Sequence, residues 1–170
     1  MIHTQNLHLI ACQPSYLVAL EKSKTDLGNL LNVTIAKGWP QFEAAYKPLE
    51  AGTPDLEKYN WGTILFILEK ESCLIGSGGF KGQPDSLGVV EFGYEIAPEY
   101  WNLGYTTEAC KAMRDFAFEQ ETVHQLIAHT LSEENASNRV LKKIGMHFDS
   151  ELPDKKLGKI WRWKLEKNKS

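Results

Sequence analysis

The sequence predicts a mixed α/β fold in which helices flank a central sheet. Three observations support this prediction. Short β-rich segments recur along the chain, and a charged turn joins two of them. An amphipathic helical pattern follows the fourth of these segments, which is typical of a crossover connection. The length of 170 residues, with 42% hydrophobic and 24% charged residues, suits one globular domain. We therefore expect a single domain over residues 1–170.

The first third of the chain predicts one strand followed by helices. Residues 7–11 form a short apolar stretch, and Pro14 ends it because proline has no backbone N–H to donate. Between residues 15 and 56, apolar side chains recur at spacings of three and four, as at Leu17 and Leu20. This spacing follows the 3.6-residue period of an α-helix, so helices are expected there.

A hairpin and a further strand are expected next. Residues 61–68 and 73–80 are rich in residues that favour strands, and the charged turn 69–72 separates them. Two such segments joined by a short polar turn are typical of an antiparallel hairpin. Residues 89–97 have a similar composition and predict a fourth strand.

Helices and strands alternate in the second half. Residues 106–119 place apolar side chains on one face of a helix, and residues 125–131 follow as a short strand. Residues 136–144 predict another helix, which Gly145 ends because glycine tolerates the left-handed conformation of a helix cap. Residues 159–165 alternate aromatic and basic side chains and predict the last strand. The expected order is β-α-α-β-β-β-α-β-α-β.

Charge and cysteine content exclude several classes of function. Nineteen Lys and Arg against 22 Asp and Glu give a net charge of −3. A dominant nucleic-acid surface is not expected, because phosphate binding needs clustered cations. The longest apolar stretch, residues 64–68, is far shorter than the ~20 residues of a membrane span. Cys12, Cys73 and Cys110 are widely spaced, which indicates reduced thiols and a cytoplasmic protein.

The histidines carry no recognisable metal motif. The chain has five of them, and no CxxC pair accompanies them. His3 and His8 would face opposite ways on one extended strand, because successive side chains of a strand alternate. We therefore expect no metal site.

The junction around Gly104 is the first candidate site. After the fourth strand the chain turns at Gly104 and a helix begins at once, with Thr106 and Thr107 in its first turn. Successive backbone N–H groups of such a turn, with the positive end of the helix dipole, favour an anion. The spacing is neither that of a nucleotide P-loop nor that of a dinucleotide fingerprint. A phosphate-binding turn is one interpretation, and an ordinary junction is the other.

Two stretches resemble the GNAT superfamily of N-acetyltransferases. Residues 93–109, GYEIAPEYWNLGYTTEA, are similar to a pattern in the branch that contains the ribosomal-protein N-terminal (alanine/serine) acetyltransferases. Residues 136–146, ASNRVLKKIGM, are similar to a second pattern of that branch, ASxRVLEKxGF. The likeness extends over roughly residues 61–148. It implies a mixed, mostly antiparallel central sheet with a splayed fourth strand and about four flanking helices.

The resemblance also implies a site for acetyl-CoA as co-substrate, without a metal. The donor would pair with the backbone at the end of the fourth strand, and its diphosphate would lie on the following turn. An asparagine before the next helix would add a contact. The residues implied to bind acetyl-CoA are Glu95, Ile96, Ala97, Asn102, Leu103, Gly104, Tyr105, Thr106, Thr107 and Asn135.

Two residues are candidates for the chemistry of acyl transfer. Glu91 matches a glutamate of the branch on the fourth strand, where a carboxylate acts as base directly or through water. A solvated strand carboxylate is the alternative. Ser137 matches the serine of the branch and either hydrogen-bonds the departing thiolate or caps the helix.

The expected function is transfer of an acetyl group from acetyl-CoA to a primary amine by direct attack. The acceptor is a protein N-terminus or a small-molecule amine, and the sequence does not choose between them. Leu103 stands where the branch often has a cation, and Glu134 where it has asparagine. These departures leave two alternatives, a catalytically weak CoA-binding sensor or regulatory protein and a scaffold that binds no CoA. The oligomeric state is left open.

Overall fold

A computed structural model describes residues 1–41 and 60–168. Within these ranges the strands are β1 Ile2–His3, β2 Leu7–Ala11, β3 Thr34–Ile35, β4 Thr63–Leu68, β5 Cys73–Phe80, β6 Val89–Ile96, β7 Gln125–Leu131, β8 His147–Asp154 and β9 Gly158–Glu166. The α-helices are α1 Pro14–Lys22, α2 Lys24–Leu31, α3 Tyr105–Glu119 and α4 Ala136–Lys143. None of these helices is long and apolar enough to cross a membrane.

The sheet divides at β6. Its strand order is β1-β2-β4-β5-β6-β7-β9-β8, and β3 pairs alongside β5. Most pairs are antiparallel, but β3 runs parallel to β5 and β6 runs parallel to β7. The pairing of β6 with β7 stops at Glu91 and Ile127. Beyond that point β6 continues along β5 to Ile96, while β7 continues along β9 to Leu131. The two strands diverge and leave a V-shaped gap, which confirms the predicted splay of the fourth strand.

Helix α3 packs on one face of the central strands. Its spacing of three and four brings four buried residues to this face: Ala109, Cys110, Met113 and Ala117. A Cβ atom on Gly78 of β5 would lie 2.8 Å from Phe66 and 3.0 Å from the Met113 side chain, so glycine permits this close approach. Burial of a side chain such as Phe66 or Met113 contributes about 1.5–3 kcal/mol. On the opposite face, Trp39 Nε1 donates to Ser77 Oγ at 2.8 Å.

The predicted elements are confirmed over most of the described ranges, and three strands were not predicted. Strands β1 and β3 have two residues each, too few for a period to be recognised. Strand β8 is polar and contains Pro153, so its sequence is typical of a loop. It lies at the edge of the sheet, where proline is tolerated. The helical prediction holds for α1 and α2, and its part in residues 42–56 lies outside the described residues.

The chain reverses between β1 and β2, so that His3 lies opposite His8. The ring centroids are 4.2 Å apart, and the ligand-type atoms of both rings and of Glu69 lie within 4.8 Å of one another. The expectation that these two side chains face opposite ways is wrong, because it assumed one continuous strand. This argument against a metal site therefore fails, and the absence of a metal site stays a prediction.

Glu108 ties the first turn of α3 to the turn between β1 and β2. Its Oε1 atom accepts hydrogen bonds from Thr4 Oγ1 at 2.6 Å and from Asn6 N at 2.7 Å. Its Oε2 atom accepts from Asn6 Nδ2 at 2.9 Å. Burial raises the pKa of this carboxyl, but the hydrogen bonds from Thr4 and Asn6 outweigh burial and hold the pKa below its usual value.

We expect Glu108→Gln to lower the free energy of unfolding by about 1–3 kcal/mol at pH 7, because the amide loses charge and one accepting oxygen. The folded-state pKa lies below the unfolded value of about 4.3. The carboxylate therefore stabilises the fold above that pH, and this contribution is lost as the pH falls through the folded pKa. Urea unfolding at pH 7 and pH 3 measures both effects.

The control for this prediction is Glu119→Gln, a change at an exposed residue near the end of the same helix. Its free energy of unfolding should stay within about 0.5 kcal/mol of the wild-type value. The difference between Glu108→Gln and the wild type should shrink at pH 3. An equal difference at both pH values would contradict a role for the charge of Glu108.

Candidate active site

A cleft of about 540 Å³ opens at the gap between β6 and β7. Its walls are the end of β6, the loop into α3 and the first turns of α4. The residues that line it are Gln41, Tyr94, Glu95, Ile96, Trp101, Asn102, Gly104, Thr106, Thr107, Ala136, Ser137, Arg139, Val140 and Lys143. The volume is in the range of sites that hold small ligands or cofactors.

The structure brings seven of the twelve predicted site residues to this cleft. These seven are Glu95, Ile96, Asn102, Gly104, Thr106, Thr107 and Ser137. Five are not among its lining residues: Glu91, Ala97, Leu103, Tyr105 and Asn135. Leu103 is 60% exposed. The ring of Tyr105 packs toward Tyr100, at 6.3 Å between centroids.

The loop before α3 presents backbone N–H groups to the cleft. Gly104 is the N-terminal cap of α3 with φ +90°, and no side chain of the described residues caps the helix there. Asn102 also has positive φ, +62°, so the chain turns sharply twice. The first N–H groups of a helix have no partner within it, and here they open onto a cleft. No described atom lies within 4 Å of a Cβ position on Gly104. Space, free donors and the helix dipole together suit a phosphate group.

The backbone groups of β6 alternate between β5 and the gap. Ala97 N donates to Ile75 O at 2.8 Å. Alternate residues of an antiparallel strand bond to the same neighbour, so Glu95 directs its backbone groups and Ala97 its N–H toward β5. The Ala97 carbonyl accepts from Tyr100 N at 2.9 Å. Backbone pairing of acetyl-CoA with Glu95 and Ala97 stays a prediction, and this register does not favour it. Tyr94 and Ile96 turn toward the gap instead.

Two cations of the cleft come from α4 rather than from the loop. Arg139 and Lys143 both line the cleft, one helical turn apart. They lie opposite the loop that carries Gly104, where the sequence has no Lys or Arg. The sequence analysis missed them because it looked for cations within the loop. Their position four residues apart, on one face of α4, is the signal that could have indicated them.

The start of α4 gives different roles to Asn135 and Ser137. Asn135 Oδ1 accepts from Asn138 N at 3.1 Å and caps the helix. Ser137 is therefore not the cap, and the capping alternative for it is wrong. The Ser137 carbonyl accepts a hydrogen bond from Tyr94 OH at 3.0 Å. Burial raises the pKa of the Tyr94 phenol above its usual value, so this hydroxyl stays a donor. A contact of Asn135 with acetyl-CoA stays a prediction.

Glu91 lies on the other face of β6 from Val90 and Phe92, which are buried. Its carboxylate accepts a hydrogen bond from Lys81 Nζ. The Oε1 atom of the same carboxylate lies 2.8 Å from His129 Nδ1. It is thus neither a solvated carboxylate nor a lining residue of the described cleft. The sequence analysis missed His129 as a site residue, because 38 residues separate it from Glu91.

Open space lies above Gly93, between Glu91 and Glu95 on the same face of β6. No described atom comes within 4 Å of a Cβ position on Gly93. At one side of this space the Glu95 carboxylate is buried and accepts from Gln41 N at 2.7 Å. Ser77 Oγ lies 3.3 Å from the same carboxylate. The space therefore has a carboxylate at either side and lies on the face opposite α3.

Comparison with known proteins agrees with this geometry. The family model described as an acetyltransferase (GNAT) domain matches residues 25–147. The chain is similar to the uncharacterized N-acetyltransferase YnaD of Bacillus subtilis, with 39% identity over 80 residues. That match covers 47% of this chain and 46% of YnaD. The matched stretch spans about half the length of the first curated relatives.

Solved structures share the fold. The ribosomal-protein-S5-alanine acetyltransferase of Vibrio fischeri superposes with a TM-score of 0.70 at 15% identity, covering 98% of this chain and 96% of that one. The microcin C7 self-immunity acetyltransferase MccE, solved with acetyl-CoA and AMP, gives 0.68 at 13% identity, covering 95% and 93%. The family model extends over more than half of the sequence, so this chain belongs to the GNAT acetyltransferase family.

Proposed function

We propose that the protein transfers the acetyl group of acetyl-CoA to a primary amine. The observation that carries this proposal is the coincidence of two features in one cleft. Beyond Glu91 no described strand pairs with β6 on the side of β7, and this open edge suits the amide groups of the pantetheine arm of CoA. An uncapped helix N-terminus, at Gly104, suits its diphosphate.

On this proposal the donor lies along β6 and the loop into α3. Tyr94 offers its backbone groups, and Ile96 its N–H, to the pantetheine amides. Ile96 O already accepts from Gln41 Nε2 at 2.7 Å and from Trp101 Nε1 at 3.1 Å. The diphosphate is held by the N–H groups around Gly104. Arg139 and Lys143 supply the charge that Leu103 does not. The solved complex of MccE with acetyl-CoA supports acetyl-CoA as the donor.

The acceptor amine approaches over Gly93, on the face opposite α3. Holding amine and thioester in the reactive geometry supplies roughly 7 kcal/mol or more of the rate enhancement. Glu91 lies beside this route and assists removal of the amine proton. Ser137, on the donor side, hydrogen-bonds the departing thiolate. We assign these roles to Glu91 and Ser137 from the position of each residue and from the chemistry of its side chain.

An α-amine is the favoured acceptor class. Presenting a neutral α-amine of pKa about 8 at pH 7 costs about 1.4 kcal/mol, against about 4.6 kcal/mol for a lysine of pKa about 10.4. Less free energy is therefore needed to deprotonate an N-terminus or a small amine of low pKa. The V. fischeri relative, a ribosomal-protein-S5-alanine acetyltransferase by name, supports this class. Three buried free thiols support a cytoplasmic location.

Thermal unfolding with acetyl-CoA tests the donor site. At about 100 times its Kd, acetyl-CoA should stabilise the folded protein by roughly 2.7 kcal/mol. The same concentration of pantetheine, which lacks the diphosphate, should stabilise it much less. No stabilisation by acetyl-CoA at millimolar concentration would contradict both the transferase and a CoA-binding sensor.

Ser137→Ala is expected to lower kcat by less than about tenfold. The CoA thiolate, whose conjugate thiol has a pKa of about 8.5, is an adequate leaving group without a hydrogen-bond donor. Ser86→Ala, in the exposed turn between β5 and β6, is the control and should leave kcat unchanged. Release of free CoA thiol measures both. A loss of kcat larger than about 100-fold, in a folded Ser137→Ala protein, would contradict this minor role.

A further inference from the structure

Two diverging strands bring Glu91 and His129 together where the gap begins. Glu91 is the last residue of β6 to pair with β7, and its partner there is Ile127. His129 lies two residues further along β7, so its side chain is on the same face as those of Ile127 and Glu91. His129 Nδ1 is 2.8 Å from Glu91 Oε1. The pair therefore bridges the gap on the face that carries Gly93.

The second nitrogen of the His129 ring is available to accept a proton. Among residues 1–41 and 60–168, no hydrogen-bond partner faces His129 Nε2, and this atom is not buried. The side chain is 22% exposed. A neutral imidazole that donates its Nδ1–H to a carboxylate has its lone pair at Nε2. A carboxylate that orients a histidine in this way is a recurrent arrangement for a general base.

Charge around the pair keeps Glu91 ionised. Lys81, just beyond β5, forms an ion pair with its carboxylate. Burial raises the pKa of the Glu91 carboxyl, but hydrogen bonds from Lys81 and His129 outweigh burial and hold the pKa below its usual value. Such a carboxylate is a weak base and a constant hydrogen-bond acceptor. Among the described residues, the other titratable groups that β9 and β8 place on this face include Arg162, Lys164, Glu166, Asp149 and His147.

We propose that His129 accepts the amine proton and that Glu91 is its positioning residue, an inference that rests on the proposed function. The amine nitrogen attacks the thioester carbon, a C–N bond forms, and the carbonyl π pair moves to oxygen. His129 Nε2 takes one proton from the nitrogen. The C–S bond then breaks as the carbonyl re-forms. The thiolate recovers a proton from the imidazolium, directly or through water, and His129 returns to its neutral form.

His129→Asn tests this proposal, because asparagine can still donate to Glu91 but has no basic nitrogen. With a saturating primary amine, we expect kcat at pH 7 to fall about 10²–10⁴-fold, with unchanged acetyl-CoA affinity. The pH profile of kcat should differ between the wild type and the variant, because only the wild type has the basic ring nitrogen. His124→Asn, at an exposed residue before β7, should keep the wild-type rate and pH profile.

The double variant with Glu91→Gln separates a shared role from two independent ones. If the pair acts as one unit, the double variant should be no slower than His129→Asn alone. A wild-type pH profile in folded His129→Asn, beside an active wild-type enzyme, would overturn this proposal and leave the proposed function standing. An inactive wild type, tested with a broad panel of amines, would overturn both.

Discussion

Substitution of Gly104 by valine is expected to weaken acetyl-CoA binding by about tenfold or more, which equals about 1.4 kcal/mol. Gly104 has φ +90°, a conformation that a β-branched residue opposes by roughly 1–2 kcal/mol. The turn would shift, and the N–H groups at the start of α3 would no longer converge. The valine side chain would also occupy the open space through which the diphosphate approaches.

Gly158→Val is the matched control for this change. Gly158 also has positive φ, +78°, and open surroundings, but it lies at the turn between β8 and β9. The two variants carry similar backbone strain, so thermal unfolding should show similar losses of stability. Only Gly104→Val should lose affinity when acetyl-CoA is titrated by calorimetry. Wild-type affinity in a folded Gly104→Val protein would mean that the diphosphate binds elsewhere.

Substitution of Gly93 by valine is expected to reduce amine acetylation about 100-fold or more while acetyl-CoA affinity is retained. The new side chain would fill the space between Glu91 and Glu95, and displacing the acceptor by about 1 Å already costs on the order of 100-fold in rate. The free energy of unfolding should not fall. Gly93 has no positive φ, and valine suits a strand interior better than glycine.

A size series at Gly93 makes this prediction specific. Gly93→Ala should retain more activity than Gly93→Val, because alanine fills less of the space. Acetyl-CoA affinity, measured by calorimetry, should be the same in all three proteins. Wild-type turnover in the valine variant would show that the acceptor reaches the thioester by another route.

Local patterns in the sequence were enough to predict the elements around the cleft. Strands β4 to β7 are predicted by composition and bounding turns, and helix α3 by its helical period. The turn at Gly104 follows from strand, glycine and helix in succession. Strand β8 was missed because its polar residues and Pro153 are typical of a loop. Only the antiparallel partner β9 makes it a strand, through pairing that no local pattern contains.

Contacts between distant segments account for the rest of the site. The pairing of Glu91 with His129 depends on the parallel register of β6 and β7. The register with β5 decides that the backbone groups of Tyr94, rather than those of Glu95, face the gap. The sequence analysis offered Ser137 as a cap of α4, because serine favours that position, and the structure gives the cap to Asn135.

Acetyl transfer itself is the most direct test of the proposed function. Purified protein is incubated with acetyl-CoA and a panel of peptide N-termini, small α-amines and lysine side-chain amines, and free CoA thiol is measured. We expect thiol release that depends on the amine, with acetylated product formed in an equal amount. The rate should be higher with α-amines than with lysine side-chain amines. Binding of acetyl-CoA without amine-dependent thiol release would contradict the transferase and favour a CoA-binding sensor.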